Sequence, residues 1–282
     1  MCIQKTGKVK EITSLSNPTI KDLRALSQKK NRNREGLFMA EGLKLVIDAL
    51  NLGWTIQTLI FSKSTIGNAA VENTAARTVA NGGFVIKASQ KVMESITRRD
   101  NPQTVIGIFK QQWQPLETIA GQIEDVYVAL DRVRDPGNLG TIIRTVDAVG
   151  AKGVILIGET TDPFSPETVR ATMGSIFSIP LYRCDESTFL NWSQNLNGTV
   201  VGTHLKGSTD YRTINFKNGP IILLMGNEKQ GLPDIIASRC DKLARIPQSG
   251  RADSLNLAIA TALMLYEIRR PYLKLETCGD RI

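Results

Sequence analysis

Hydrophobic and polar positions fall into short apolar runs separated by segments of helical spacing. Near the start, TIQTLIFS, GFVIKA and TVIGIF are β-rich runs, and Leu37-Phe38-Met39 is a shorter one. Gly42 to Leu52 places Leu43, Val46, Ile47 and Leu50 at helical spacing. Asn17-Pro18 predicts a helix start, with Asn17 as N-cap and Pro18 at the first helical position, leading into TIKDLRALSQKK. The stretch Lys29, Lys30, Asn31, Arg32, Asn33, Arg34 has no apolar position and is expected to lack regular structure. Helices alternating with strands make residues 1 to about 110 an α/β module.

The segment QQWQPLETIAGQIED has the Gln, Pro and Gly of a linker, so the boundary is expected near residue 115, between domains 1–115 and 116–282. Beyond it strands are predicted at Val126 to Leu130, Gly153 to Ile157, Thr199 to Gly202 and Ile221 to Met225, with a short one at Leu243 to Ile246. Helices are predicted at Asn138 to Val149 and Ser254 to Arg270, the second stopped by Pro271. Near-continuous apolar strands alternating with helices indicate a parallel sheet covered on both faces.

Of the 282 residues 41% are hydrophobic and 22% charged, which excludes a disordered chain and suffices for a real core. The net charge of +8 is unevenly spread: Met1 to Lys110 holds 17 basic and 8 acidic residues, the remainder 18 and 19. Such asymmetry favours a module that docks on a polyanion, joined to one with a different task. Cys2, Cys184, Cys240 and Cys278 form no C-x-x-C pair and His204 is the only histidine, so no metal site is expected. The same pattern argues for a reducing compartment. No apolar run approaches the roughly 20 residues that span a bilayer. MCIQKTGKVK also lacks a secretory signal's apolar core, so a cytoplasmic protein without membrane contact is expected.

Three segments at predicted strand ends, where ligands of open α/β sheets bind, carry candidate chemistry. In ALDRVRDPGNLGTIIRT, Asp135 to Asn138 is a tight turn with Asn138 placed to cap the next helix. Gly140 and Arg144, four apart, share a helix face there, which opens an approach to the guanidinium. In ILLMGNEKQGLP, glycines 226 and 231 flank Glu228 and let main-chain amides approach a ligand closely. In RIPQSGRADSLNLAIATALMLYEIRR, a polar loop leads to Ser254 as cap of a helix apolar almost all round, hence buried. Its alanines 258, 260 and 262 permit close packing against another helix or a second subunit, and Ser254 and Asn256 stand at its mouth. Taken singly, each segment also reads as a capped helix or a glycine turn, the first more readily so than as a site.

In this order, however, the three resemble the motifs of the SpoU/TrmH family of RNA ribose 2′-O-methyltransferases, part of the SPOUT class. The first has the form N-x-G-x-x-x-R (Asn138, Gly140, Arg144); MGNEKQGL and IPQSGRADSLNLAIA are the second and third. Between them ETVRATMGSIF resembles the family's R-A-S-x-G segment, with Thr172 where Ser is usual. The resemblance covers roughly residues 125 to 270, and REGLFMAEGLKLV is similar to the ribosomal-protein-like RNA-binding domain that many members carry. It implies a C-terminal parallel-sheet SPOUT domain with a trefoil knot, preceded by a smaller α/β/α RNA-binding domain. The knot comes from the resemblance alone, since chain-connection rules make knots very rare. S-adenosyl-L-methionine as cofactor, an obligate homodimer and a structured RNA substrate are implied as well. Carried over position by position, Thr203, Gly226, Ile246 and Leu255 fall on cofactor contacts, largely through main-chain groups. Asn138, Arg144, Glu228, Ser254 and Asn256 fall on active-site positions. In the basic module, Lys29, Lys30, Arg32 and Arg34 are the expected RNA phosphate contacts.

The implied reaction is attack of a ribose 2′-oxygen on the methyl carbon of a sulfonium, with the reacting atoms brought to roughly 3–3.5 Å in line. His204 would be the default base by residue type, but it adjoins Thr203 and reads as local structure. Arg144 is often given a base role in the family; a guanidinium stays protonated, so it is expected to stabilise the developing alkoxide and clamp a phosphate. The proton would pass to a phosphate oxygen, Glu228 or water. Ribosomal RNA is favoured by the separate N-terminal domain. A tRNA ribose 2′-O-methyltransferase and a non-catalytic ribosome-assembly factor stay open, whereas a dinucleotide-binding protein lacks its G-x-G-x-x-G.

Overall fold

The computed structural model describes residues 7–97, 102–119, 121–204, 209–216 and 219–275, so Cys2 and Cys278 lie outside the described residues. Two compact units result: Met1–Gln112 with Asp162–Ser178, and Trp113–Thr161 with Ile179–Ile282. A single cut near residue 115 therefore misses a segment of the later sequence that packs with the first unit. Among the described residues no helix is long and apolar enough to cross a membrane.

The first unit runs β1 (Lys8–Ile12), α1 (Pro18–Ala25), α2 (Lys29–Glu35), β2 (Leu37–Glu41), α3 (Leu43–Asn51), β3 (Ile56–Ser62), α4 (Ala69–Ala80), β4 (Phe84–Ala88), α5 (Gln90–Thr97) and β5 (Val105–Lys110). Asn17 caps α1 as expected, its side chain accepting from the Thr19 amide. The strands form one sheet in the order β1-β4-β3-β5-β2, with β5 antiparallel to both neighbours. Ile20, Leu23, Val92 and Met93 of α1 and α5 join Met39, Ile60, Ile86 and Ile108 in one core cluster of the unit. A separate cluster is aromatic: Phe38 and Phe109 meet Trp54 and, from the returning segment, Phe164 and Phe177. The Trp54 indole donates to the Phe177 carbonyl at 2.8 Å, giving its polar edge a partner.

The basic stretch from Lys29 is helical, contrary to expectation, and Arg32 is the reason. Arg32 is 3% exposed, and its guanidinium donates to Asp162 at 2.6 and 2.8 Å and to the Leu26 and Ser27 carbonyls at 2.9 Å. Arg32 is thus a structural ion pair and not an RNA contact, which corrects that assignment; Lys29, Lys30 and Arg34 remain exposed. Gly36, in the left-handed region at φ 62°, ends the helix. Replacing Asp162 by asparagine, which leaves a buried guanidinium without its counter-charge, is expected to destabilise the unit by about 3–5 kcal/mol in denaturant unfolding.

The second unit runs β6 (Val126–Asp131), α6 (Pro136–Ala148), β7 (Gly153–Ile157), then β8 (Leu181–Cys184), α8 (Glu186–Gln194), β9 (Thr199–Thr203), β10 (Thr209–Asp210), β11 (Ile221–Met225), α9 (Asp234–Ala237), β12 (Lys242–Arg245) and α10 (Leu257–Arg269). Between β7 and β8, α7 (Pro166–Ala171) belongs to the first unit. All pairings in the seven-stranded sheet β10-β12-β9-β11-β6-β7-β8 are parallel, as the apolar strands foretold. From β6 the chain builds outwards to β7 and β8, then returns to build β9 and β11 on the other side. The order reverses between β6 and β11, and their carboxyl ends are where a ligand crevice of such a sheet opens.

Candidate active site

The β6 end turns sharply at Arg132, whose φ of 49° is left-handed and strained for a residue with a side chain. Asp131, 1% exposed, anchors this turn by accepting from the Arg132 guanidinium at 2.8–3.1 Å, which raises the arginine further above its ordinary value. The turned Arg132 carbonyl then accepts from the Asn227 side chain at 2.8 Å, tying the β6 and β11 loops together. The β11 loop is closed by a two-bond bridge between Asn227 and Gly231 (3.1 and 2.9 Å), and the Asn227 Oδ1 also accepts from the Lys229 and Gln230 amides.

Glu228 at the tip of this loop reaches the start of α6. Its carboxylate accepts from the Arg134 and Asp135 main-chain amides at 3.2–3.3 Å and from the Asn138 Nδ2 at 3.4 Å. Amides at a helix start suit an anion in geometry and in dipole. Asn138 in turn accepts through Oδ1 from the Asn256 Nδ2 at 2.9 Å, while the Asn256 Oδ1 accepts from the Ala258 and Ile259 amides and caps α10. A continuous chain Glu228–Asn138–Asn256 therefore joins the three motif segments. Two conjoined hollows of about 650 and 830 Å³ open over it. The larger is walled by Thr203, Gly226, Leu232, Ile246, Leu255 and Leu257, which end or follow β9, β11 and β12 or precede or begin α10.

Residues 125–266 match the SpoU rRNA Methylase family, and residues 17–107 match the MRM3-like substrate binding domain. The chain is 32% identical over 275 residues to the 23S rRNA (uridine(2479)-2′-O)-methyltransferase of Streptomyces viridochromogenes, covering 95% of this chain and 94% of that one. To the 23S rRNA (guanosine(2553)-2′-O)-methyltransferase of Bacillus subtilis it is 30% identical, over 93% and 100% of the two chains. A crystal structure of an AdoMet-bound rRNA methyltransferase from Sinorhizobium meliloti superposes with a TM-score of 0.90 at 61% identity, over 94% of this chain and 99% of that one. The chain belongs to the SpoU rRNA methylase family.

Within this SpoU domain the fold gathers eight of the nine expected catalytic and cofactor positions: Asn138, Glu228, Ser254, Asn256, Thr203, Gly226, Ile246 and Leu255 all line the cleft. Arg144 does not. It lies six residues beyond Asn138 on α6, about 9 Å further along the axis, and is exposed. Two caps differ from expectation. Asp135 caps α6, its carboxylate accepting from the Asn138 amide at 2.6 Å, which frees the Asn138 side chain for Glu228 and Asn256. Asn256 caps α10, and Ser254 sits in the exposed loop before it. Nor is α10 buried all round: Ile259, Leu263 and Tyr266 are 53%, 40% and 53% exposed.

In the sequence Asp135 reads only as part of a turn, and neither Asn227 nor Arg134 is singled out for the site. An asparagine just after a strand-ending glycine is a frequent turn-former, a signal that could have singled out Asn227. His204 extends the β9–β12 pairing by donating its amide to the Ala244 carbonyl at 3.0 Å, and it lines the larger hollow. Burial pushes the Cys184 and Cys240 thiols up to about 12, so neither is a thiolate nucleophile at neutral pH. Among the described residues no cluster of three or more His, Cys, Asp or Glu could hold a metal.

Proposed function

We propose that this protein methylates a ribose 2′-hydroxyl of ribosomal RNA, with S-adenosyl-L-methionine as methyl donor. The observation that carries the reading is the hydrogen-bonded chain Glu228–Asn138–Asn256 beside a cleft that combines apolar side chains with polar groups of the strand-end loops. The larger hollow fits the cofactor's chemistry. Its volume is that of a small-molecule site, Met225, Leu232, Ile246 and Leu257 offer apolar surface to a purine, and Thr203 with the loop main chain offers polar partners. When bound, S-adenosyl-L-methionine supplies a methyl group on a positively charged sulfur.

The protein's own part is to position and to stabilise charge. Glu228, fixed by two helix-start amides, orients the nucleotide hydroxyl or receives its proton; Asn138 and Asn256 hold Glu228 in place; Ser254 adds a hydroxyl at the cleft mouth. Arg144 stabilises the alkoxide. Because it does not line the cleft of its own chain and the apolar stripe of α10 lies bare, we place it in the cleft of a second copy within a homodimer. The basic first unit captures RNA through Lys29, Lys30 and Arg34. A cytoplasmic reaction is part of the same reading, supported by the RNA substrate. The lodging of β11 between β6 and β9, both earlier in the chain, supports the family's knotted arrangement.

The test is transfer of a tritiated methyl group to unmodified transcripts of 23S rRNA and of tRNA, with alkali-resistant linkages mapped. Label at a single ribose of 23S rRNA is expected. Label only in tRNA would change the substrate class, and label in neither would overturn the reading.

A further inference from the structure

The two hollows share a wall but differ in what faces them. Asn138, Asn227, Glu228, Lys229, Gln230 and Asn256 border both. Thr203, Gly226, Ile246 and Leu255 border only the larger, whereas Arg134 and Asp135 border only the smaller. The smaller hollow is polar and carries two cations, Arg134 and Lys229, against two carboxylates. Those carboxylates are already engaged: Asp135 accepts from the Asn138 amide, and Glu228 from the amides of residues 134 and 135. Arg134 and Lys229 are exposed, and neither has an ion-pair partner among the described residues. Local charge is balanced in number, yet both acids already accept from main-chain amides, whereas the two cations remain for a ligand. A guanidinium so placed matches a phosphate oxygen pair in geometry, and an ammonium supplies a point charge.

We propose that the smaller hollow seats the target nucleotide of a single-stranded RNA segment, with Arg134 and Lys229 gripping the phosphodiesters on either side of the methylated ribose. This rests on the methyltransferase reading and adds to it a second subsite and two RNA-positioning residues. Gripping both phosphates presents the ribose edge to Glu228 and Asn138, and it leaves the base unread by these two side chains. Arg134 is the cleaner probe, since Lys229 also borders the cofactor hollow.

Arg134→Gln and Arg134→Lys are compared with the full-length wild type, with an unmodified 23S rRNA transcript as RNA. Loss of one charge-assisted phosphate contact should raise the KM for RNA about tenfold in the Gln variant. The slope of log affinity against log salt should fall by about 0.7, the value for one phosphate on a single strand. Cofactor affinity by calorimetry should stay within about twofold, and the Lys variant should recover most of the slope, because the point charge is retained. A Gln variant with wild-type KM and salt slope would overturn the subsite; so would a parallel loss of cofactor affinity, which would mark Arg134 as part of the cofactor hollow. A wild type that takes up no S-adenosyl-L-methionine fails at the earlier step and condemns the methyltransferase reading instead.

Discussion

Substituting alanine for Gly226 is expected to abolish S-adenosyl-L-methionine binding and with it all methyl transfer. An alanine Cβ there would stand 2.3 Å from the Gly231 carbonyl carbon and from the Leu232 nitrogen, and 2.6 Å from the Gly231 oxygen. These are main-chain atoms of the same loop, pinned by the Asn227–Gly231 bridge, so no side chain can move aside. Close packing leaves the loop one response, which is to open. Opening it withdraws the main chain of residue 226 from the larger hollow and swings Glu228 off the start of α6. Calorimetry should show no cofactor heat, while circular dichroism should show a folded protein, because the β6–β11 ladder ends at Met225. Cofactor affinity within tenfold of wild type would show that the loop tolerates the clash and does not grip the cofactor.

Arg144→Ala should lower kcat by about 10²–10³ while leaving cofactor affinity nearly unchanged, the signature of a group whose charge matters most in the transition state. Arg144→Lys should recover part of the loss. Placement of Arg144 outside its own cleft makes a sharper test possible. Arg144→Ala and Glu228→Ala chains should each be inactive alone. Co-expressed, they should regain activity well above either parent, because a mixed dimer holds one cleft with an intact Glu228 and the partner's intact arginine. Light scattering should give twice the 31.0 kDa chain mass, with the Ile259, Leu263 and Tyr266 stripe covered. Mixed dimers that stay inactive would place Arg144's action within one chain, and an unchanged kcat in Arg144→Ala would remove it from the chemistry.

Apolar strands were the most legible part of the chain. Gly153–Ile157 and Ile221–Met225 fall where the pattern put them, since a strand covered on both faces must be apolar at every position. The motif segments were legible too, because a strand end that must turn tightly and expose main-chain amides selects glycine, asparagine and acids within a few residues. Helix caps were off by three residues at α6 and by two at α10: Asp135 and Asn138, and likewise Ser254 and Asn256, are all capable caps, and nothing local chooses between them.

What the sequence determined by itself was therefore local: which runs are strands, which residues can turn, and the resemblance of three motifs to one family. Tertiary structure decided everything that depends on a partner far along the chain. Arg32 becomes a buried structural pair only because Asp162, 130 residues away, returns to the first unit. Asn138 is freed from capping only because Asp135 does that work, and it meets Glu228 and Asn256 only because β6 and β11 lie side by side. The exposed side of α10, apolar in sequence and so core by pattern, is left bare within one chain because the opposite face of the helix packs on α6 and β11. Charge and hydrophobicity are properties of a residue, whereas burial and pairing are properties of a pair, and only the folded chain supplies the second member.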